Sequence, residues 1–373
     1  MLNVINLNLD PNRRAIIISD VHANLLLFKR LLEKVHYDND DYLFINGDLC
    51  EKGENSLEIV RYVKEMTEQS SNVFVTKGNC DILHRYVFMG NEKILNYMKA
   101  RKNSILNEML EQGKQSLTHF NQIQQLAQYY ETHFKEELNW LESLPVAIET
   151  ENFILIHAGI EDRADWEETD ENFALSVDSF FDRGHQAKKT VIVGHWPVVN
   201  YRFHSESSNN PIIDFEKKII AIDGGNQIKR DGQLNALIFE NNQFSFEFVD
   251  ELHEKRKVKK DYLDQTGRVG TVTYPNYEMS IIHREPYFTL CRNIKLGVEQ
   301  WVKNEYLVEN DEGVCCKNDL STTFLSVRYG EIVKVLNAEV SGYTLVKKRN
   351  GLVGWVPIEV DGMELLTGDF KAE

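Results

Sequence analysis

Short apolar runs alternate with amphipathic ones over the first eighty residues. Arg14–Ser19, "RAIIIS", is β-branched and apolar throughout, the pattern of a strand buried on both faces. "NLLLFKRLLEKV" follows with leucines at helical spacing. "DYLFINGD" predicts a second buried strand, "SLEIVRYVKEM" a second amphipathic helix capped by Ser56, and "NVFVTKGN" a third strand. This β-α-β-α-β rhythm predicts a parallel α/β sheet. From about 90 to 144 the pattern turns helical and polar and reads as a helical insert. Strand signals return in "VAIETENFILIHAGI", "TVIVGHWPV", "KIIAIDGGN" and "LNALIFENNQFSFEFV".

The texture changes after Asp250. The charged stretch Glu254–Lys260 reads as a solvated linker, which sets a catalytic domain over 1–255 and a β-rich region over 256–373. Beyond it, alternating valines, a glycine-centred turn and "GWVP" resemble a bacterial SH3-like module. "TLCRNIKLGVEQW" and "TLVKKRNGLVGW" repeat nearly one threonine-to-tryptophan spacing, so the region is expected to be a degenerate tandem. Tyr343 and Trp355 are expected in the core of a small barrel, which needs large side chains.

At 373 residues the chain exceeds one ordinary domain, which agrees with this division. The net charge of -16 repels nucleic-acid backbones and anionic membranes, so any phosphate-bearing ligand must be drawn by local cations. No stretch reaches the apolar length of a membrane span. The five cysteines are odd in number and form no C-x-x-C pair. Together with an N-terminus lacking a signal-peptide pattern, this predicts a reduced, cytoplasmic protein.

The candidate chemistry lies at strand ends. The first three runs end in Asp20 and His22, in Asp48, and in Asn79; two later ones end in His157 and His195. Singly, each is a commonplace turn or core residue. Their recurrence after five apolar runs is not, because carboxyl ends of parallel strands line one ligand-binding edge. Two carboxylates, three imidazoles and an amide, without thiolates among them, suit divalent manganese, iron or zinc.

In this order, "SDVHAN", "NGDLCEKG", "KGNCD", "IHAGI" and "GHWPV" resemble the motifs of the calcineurin-like metallophosphoesterases, closest to the phosphoprotein-phosphatase branch, over about residues 14–250. The resemblance implies a β-sandwich flanked by helices and two divalent ions, manganese or iron foremost, with zinc as a further candidate. Asp20 and His22 would bind the first ion, Asp48 would bridge, and Asn79, His157 and His195 would bind the second. Asp48 and Asn79, with Cys80 and Asp81 beside them, form the catalytic set. Pro197 stands where many phosphodiesterase relatives have a second histidine; the phosphoprotein-phosphatase branch lacks that histidine too, so Pro197 favours that branch. Lys52 stands where that branch has arginine and is the first phosphate-binding candidate; Arg183 is the second.

Cys80 stands where the branch has the histidine that protonates the leaving group. A thiol is a poor substitute near neutral pH, so Cys80 disfavours alkyl phosphoesters and favours good leaving groups. The function expected is phosphomonoester hydrolysis by metal-activated water, including a Ser/Thr protein phosphatase. The alternatives are a phosphodiesterase or dinucleoside-polyphosphate hydrolase, and a metal-holding binding protein. Expected partners are a phosphorylated protein or small phosphoester, and a protein bound through the C-terminal module, with no nucleic acid and no membrane.

Overall fold

A computed structural model of the chain describes residues 1–311 and 313–367. Its contacts fall into two compact units. One comprises residues 1–197, 211–228 and 232–250, the other residues 198–210, 229–231 and those from 251 onward.

The first unit is built on eleven strands. These are β1 (Val4–Asn6), β2 (Ala15–Ser19), β3 (Tyr42–Asn46), β4 (Val73–Thr76), β5 (Ala147–Glu149), β6 (Phe153–Ile156), β7 (Thr190–Val193), β8 (Ile212–Asp214), β9 (Ile219–Ala221), β10 (Leu234–Glu240) and β11 (Gln243–Val249). They form two mixed sheets, ordered β11-β10-β2-β3-β4 and β1-β5-β6-β7-β9-β8. Strands β2, β3 and β4 pair in parallel, and so do β6, β7 and β9.

The "AIII" run divides its side chains between two cores, as the two-residue period of a strand requires. Ala15 and Ile17 join Phe44, Phe153, Leu155, Ile192 and Ile220 between the sheets. Ile16 and Ile18 face the other way, onto α1 (Leu25–Lys34) and α2 (Ser56–Gln69). The architecture is therefore the β-sandwich flanked by helices that the motifs imply. The single parallel sheet expected from the strand rhythm is corrected: the five motif-bearing strands split between two sheets, three in one and two in the other. Which strands pair is decided by long-range contacts that the local pattern does not carry.

Helices α3 (Leu83–Phe88), α4 (Lys93–Ala100), α5 (Ile105–Gln112), α6 (Ile123–His133) and α7 (Lys135–Ser143) fill most of the stretch between β4 and β5. Met98, Leu106, Met109, Leu126, Tyr130 and Leu141 carry their apolar faces into the core that α1 and α2 share. Asn24 caps α1 by accepting from Leu27 N. Ser56 is the first residue of α2 rather than its N-cap, and its hydroxyl accepts from Glu51 N at 3.0 Å. Its own N–H and that of Leu57 donate instead to the Glu108 carboxylate on α5, at 2.9 and 2.8 Å.

The second unit is all-β. Lys255–Lys257, Ile332–Asn337, Tyr343–Lys347 and Val353–Pro357 make a four-stranded sheet in that order. The charged stretch expected as a linker thus contributes an edge strand, Lys255–Lys257 pairing with Ile332–Lys334. A five-stranded sheet is centred on Glu278–Arg284 and Phe288–Asn293. The two echoed segments are both hairpins, and in both a leucine faces the tryptophan: Leu290 opposite Trp301, Leu345 opposite Trp355. Trp355 is fully buried, and Tyr343 packs on Phe288 beside it. No helix among the described residues is long and apolar enough to cross a membrane.

Candidate active site

The loops leaving β2, β3, β4, β6 and β7 converge. Asp20, His22, Asp48 and His195 all have positive φ, between 48° and 64°. Non-glycine residues enter that region at a cost of about 1–3 kcal/mol each, and such strain gathers at functional sites. Two glycines let the loops close up. A Cβ on Gly78 would lie 2.2 Å from Asp48 N, and one on Gly194 would lie 2.2 Å from Asp20 Oδ2.

Asp48 stands at the centre. Its Oδ1 lies 3.4 Å from His157 Nε2, and its Oδ2 lies 3.9 Å from His22 Nε2. Each carboxylate oxygen thus faces a different imidazole. Asp20 Oδ1 lies 3.8 Å from His22 Nε2, while Asp20 Oδ2 accepts from Ser19 Oγ and from His195 N. Asn79 Oδ1 lies 3.1 Å from His157 Nε2, and the His157 and His195 rings are 5.2 Å apart. Two groups of ligand atoms lie within 4.8 Å of one another: His22, Asp48 and Cys80 in one, Asp48, His157 and His195 in the other.

The tautomers are set from behind. His157 Nδ1 donates to Asn46 O at 3.0 Å, and His22 Nδ1 donates to Cys50 O at 3.2 Å. Both rings therefore present Nε2 lone pairs to the centre. For His157 that lone pair meets the Asn79 Oδ1 lone pairs, an arrangement that a shared cation satisfies. His22 Nε2 and Asp20 Oδ1 are each buried to 1 % exposure, and neither makes a hydrogen bond among the described residues. Unpaired buried acceptors cost about 1–3 kcal/mol each in the absence of a partner. These facing acceptors, from oxygen and nitrogen donors, fit two divalent cations with Asp48 between them.

The electrostatics agree. Burial, then Asp223 and Asp48, raise the Asp20 carboxyl far above the usual range, the mark of anions gathered without a compensating charge. Burial opposes ionisation of Asp48 too, and its carboxyl is held low only by positive charge at the positions of His157, His22 and His195, a charge that cations would supply where the rings are neutral. Burial lowers His22, and burial with His157 lowers His195 to about 4. Both rings are neutral at physiological pH, as metal ligands must be.

The family model for calcineurin-like phosphoesterases matches residues 13–239. The chain belongs to that family. Among its relatives, the symmetrical bis(5'-nucleosyl)-tetraphosphatase of Pasteurella multocida is 29% identical over 142 residues, covering 37% of this chain and 41% of that one. The protein of the same name from Actinobacillus succinogenes is 30% identical over 153 residues, covering 40% and 45%. The match thus spans less than half the length of either relative. A solved serine/threonine phosphatase from Saccharomyces cerevisiae superposes on 67% of this chain and 84% of its own, with TM-score 0.42 and 13% identity.

Within this calcineurin-like centre, Cys80 comes from a short 3-10 turn after β4, and its N–H donates to Asp48 Oδ1 at 2.8 Å. Asp81, one residue on, points away into backbone. Its Oδ1 accepts from Leu49 N and Cys50 N, and its Oδ2 from Gly78 N, at 2.9, 3.2 and 2.9 Å. It clamps the β3 and β4 loops to each other. Burial and Asp48 raise its carboxyl to about 6.

Lys52 is half-buried with φ of 70°, and its charge acts on both His22 and Cys80. Arg183 is exposed and donates to Asp178 O at 3.0 Å; the Asp178 carboxylate lies 3.9 Å from His195 Nε2. His84, on α3, is buried against Glu142 at 3.3 Å.

Three contributors went unrecognised in the sequence. Asn46 O orients His157, and Cys50 O orients His22, through backbone atoms that leave no residue-type signature. Glu51 receives Tyr97 Oη at 2.6 Å and Ile105 N at 2.8 Å, tying the strained Glu51–Lys52 turn to α4 and α5. The acid in "GDLCEKG" was the visible signal, but its partners lie about fifty residues away.

Proposed function

We propose that the protein is a dinuclear metal-dependent phosphoesterase that hydrolyses phosphoanhydrides of the dinucleoside-polyphosphate class. The observation that carries the substrate class is the pair Cys80–Asp81. Position 80 offers a thiol that burial and Asp48 push well above its ordinary range, so it is a weak proton donor at neutral pH. The Asp81 carboxylate is taken by three backbone N–H groups. A leaving alkoxide needs a proton; a leaving phosphate does not. Of the substrate classes set out above, the anhydride is the one this centre is best equipped to cleave, and the names of the two bacterial relatives agree with it.

Asp20, His22 and Asp48 would hold one ion, and Asp48, Asn79, His157 and His195 the other. Bound divalent ions supply a water of lowered pKa and neutralise phosphoryl charge. Asp48, with one oxygen toward each imidazole, fixes the separation of the two positions. His22 and His157, locked by Cys50 O and Asn46 O, keep their lone pairs inward through the cycle. Lys52 would bind a phosphate oxygen as a point charge, without the two-pronged grip of arginine. The all-β unit would serve as a protein-binding module of SH3-like type.

The test is a substrate panel with manganese, ferrous iron or zinc: diadenosine tetraphosphate, p-nitrophenyl phosphate, bis-p-nitrophenyl phosphate and a phosphoserine peptide. The dinucleotide should turn over fastest, and the peptide at least about 100-fold more slowly, the lower range of what general acid catalysis contributes. Asp48→Asn should abolish turnover of all four. Cys80→His should selectively raise phosphoserine turnover about tenfold or more. A phosphoserine peptide cleaved faster than the dinucleotide would overturn the anhydride reading. Bound metal without hydrolysis of even the aryl ester would favour a metal-holding binding protein.

A further inference from the structure

Cys80 sits among candidate ligand atoms. Its sulfur, an Asp48 oxygen and a His22 nitrogen lie within 4.8 Å of one another, and the three residues are 5, 3 and 1 % exposed. His22 already spends Nδ1 on Cys50 O, so the atom it offers is Nε2, which makes no hydrogen bond among the described residues. That buried lone pair points independently to a cation in this group.

The sulfur is also oriented as an acceptor. Asn79 Oδ1 is turned toward His157, which leaves Asn79 Nδ2 to donate to Cys80 Sγ at 3.6 Å. Amide donors to a coordinating sulfur are the usual outer-shell support of a thiolate ligand. The Cys80 N–H, bound to Asp48 Oδ1, holds the residue in register with the shared carboxylate. The Asn79–Cys80 dipeptide thus faces both positions, its amide oxygen toward one and its thiol toward the other. Cys50 is the contrast: equally buried, it packs in the apolar core with Leu49, Leu57 and Val60.

We propose that Cys80 Sγ is a metal ligand at the first position, joining His22 and Asp48 in a nitrogen–oxygen–sulfur set, and that this position selects zinc or ferrous iron over manganese. The assignment rests on the dinuclear reading of the site. On binding, the thiol proton passes to solvent and the sulfur lone pair forms the bond to the cation. Thiolate ligands favour zinc and iron, whereas manganese prefers oxygen donors. The thiol would then do for metal choice what it cannot do for the leaving group.

Cobalt(II) added to the chelator-treated full chain tests this by absorption, independently of turnover. Two ions should bind per chain, with an intense near-ultraviolet band from sulfur-to-cobalt charge transfer. Cys80→Ser should keep both ions and lose the band, with affinity at one site at least tenfold weaker. Cys80→Asp should lose the band while keeping an anionic ligand, and Cys50→Ser should retain it. In competition, zinc should displace manganese at one site of the native chain at a ratio that Cys80→Ser lowers tenfold or more. Two bound cobalt ions without the band, or a band surviving in Cys80→Ser, would overturn the sulfur ligand and leave the dinuclear site standing. Failure to bind cobalt at all would remove both.

Discussion

Glu51 ties the strained turn it shares with Lys52 to α4 and α5. Its carboxylate is 1 % exposed, and burial raises it to about 7 despite the Tyr97 and Ile105 donors. Folded Glu51 therefore holds its proton where the unfolded side chain, at 4.5, has lost it. The associated stability is present in full below pH 4.5 and is lost as pH rises through 7. At 1.36 kcal/mol per pH unit that is about 3 kcal/mol. Glu51→Gln keeps an oxygen for Ile105 N and an amide for Tyr97 Oη but cannot ionise. The difference in unfolding free energy between mutant and native chain, from urea titrations at pH 4.5 and 8, should grow in the mutant's favour by this order. An unchanged difference would mean that Glu51 titrates normally. Its neighbour Lys52 shares the turn at φ of 70°, so Glu51→Ala should also raise KM for a polyphosphate substrate by freeing that turn.

At the scale of elements, the motifs were legible because each strand is a local apolar run and each candidate ligand follows it at once. Asp20, His22, Asp48, Asn79, His157 and His195 could all be singled out from the sequence. The partition of those strands into two sheets was not legible, since Ile16 opposite Leu43 and Ile154 opposite Val191 are pairings between distant segments. The cap of α2 illustrates the same limit. Ser56 has the residue type of an N-cap, yet Glu108, 52 positions away, accepts the first two N–H groups. A carboxylate there also suits the positive end of the helix dipole. Glu108→Ala should cost about 1–2 kcal/mol in unfolding free energy, within the range of lost caps, and Glu108→Gln less. A loss below about 0.3 kcal/mol would show that solvent satisfies those donors equally well.

For the whole molecule, every residue of the candidate centre lies in the first unit, and the second unit has its own core. Part of that division was unreadable in the chain: residues 198–210 join the second unit although they begin three positions after His195. Trp355 anchors the second core. It is fully buried, its Nε1 donates to Ser321 O at 2.7 Å, and its ring meets Phe288 edge-on at 5.8 Å. Trp355→Ala removes the largest fully buried side chain among the described residues and orphans the Ser321 carbonyl, at a cost of about 3–5 kcal/mol. A β unit of this size has ordinary marginal stability, so most of it should be lost. Calorimetry of the mutant should show a transition displaced to lower temperature, while two metals per chain and the hydrolytic rate on a small aryl phosphate persist. Loss of bound metal in the same mutant would mean that the β unit is needed to hold the strained loops of Asp20, His22, Asp48 and His195 in place, and the assignment of the whole centre to the first unit would fail.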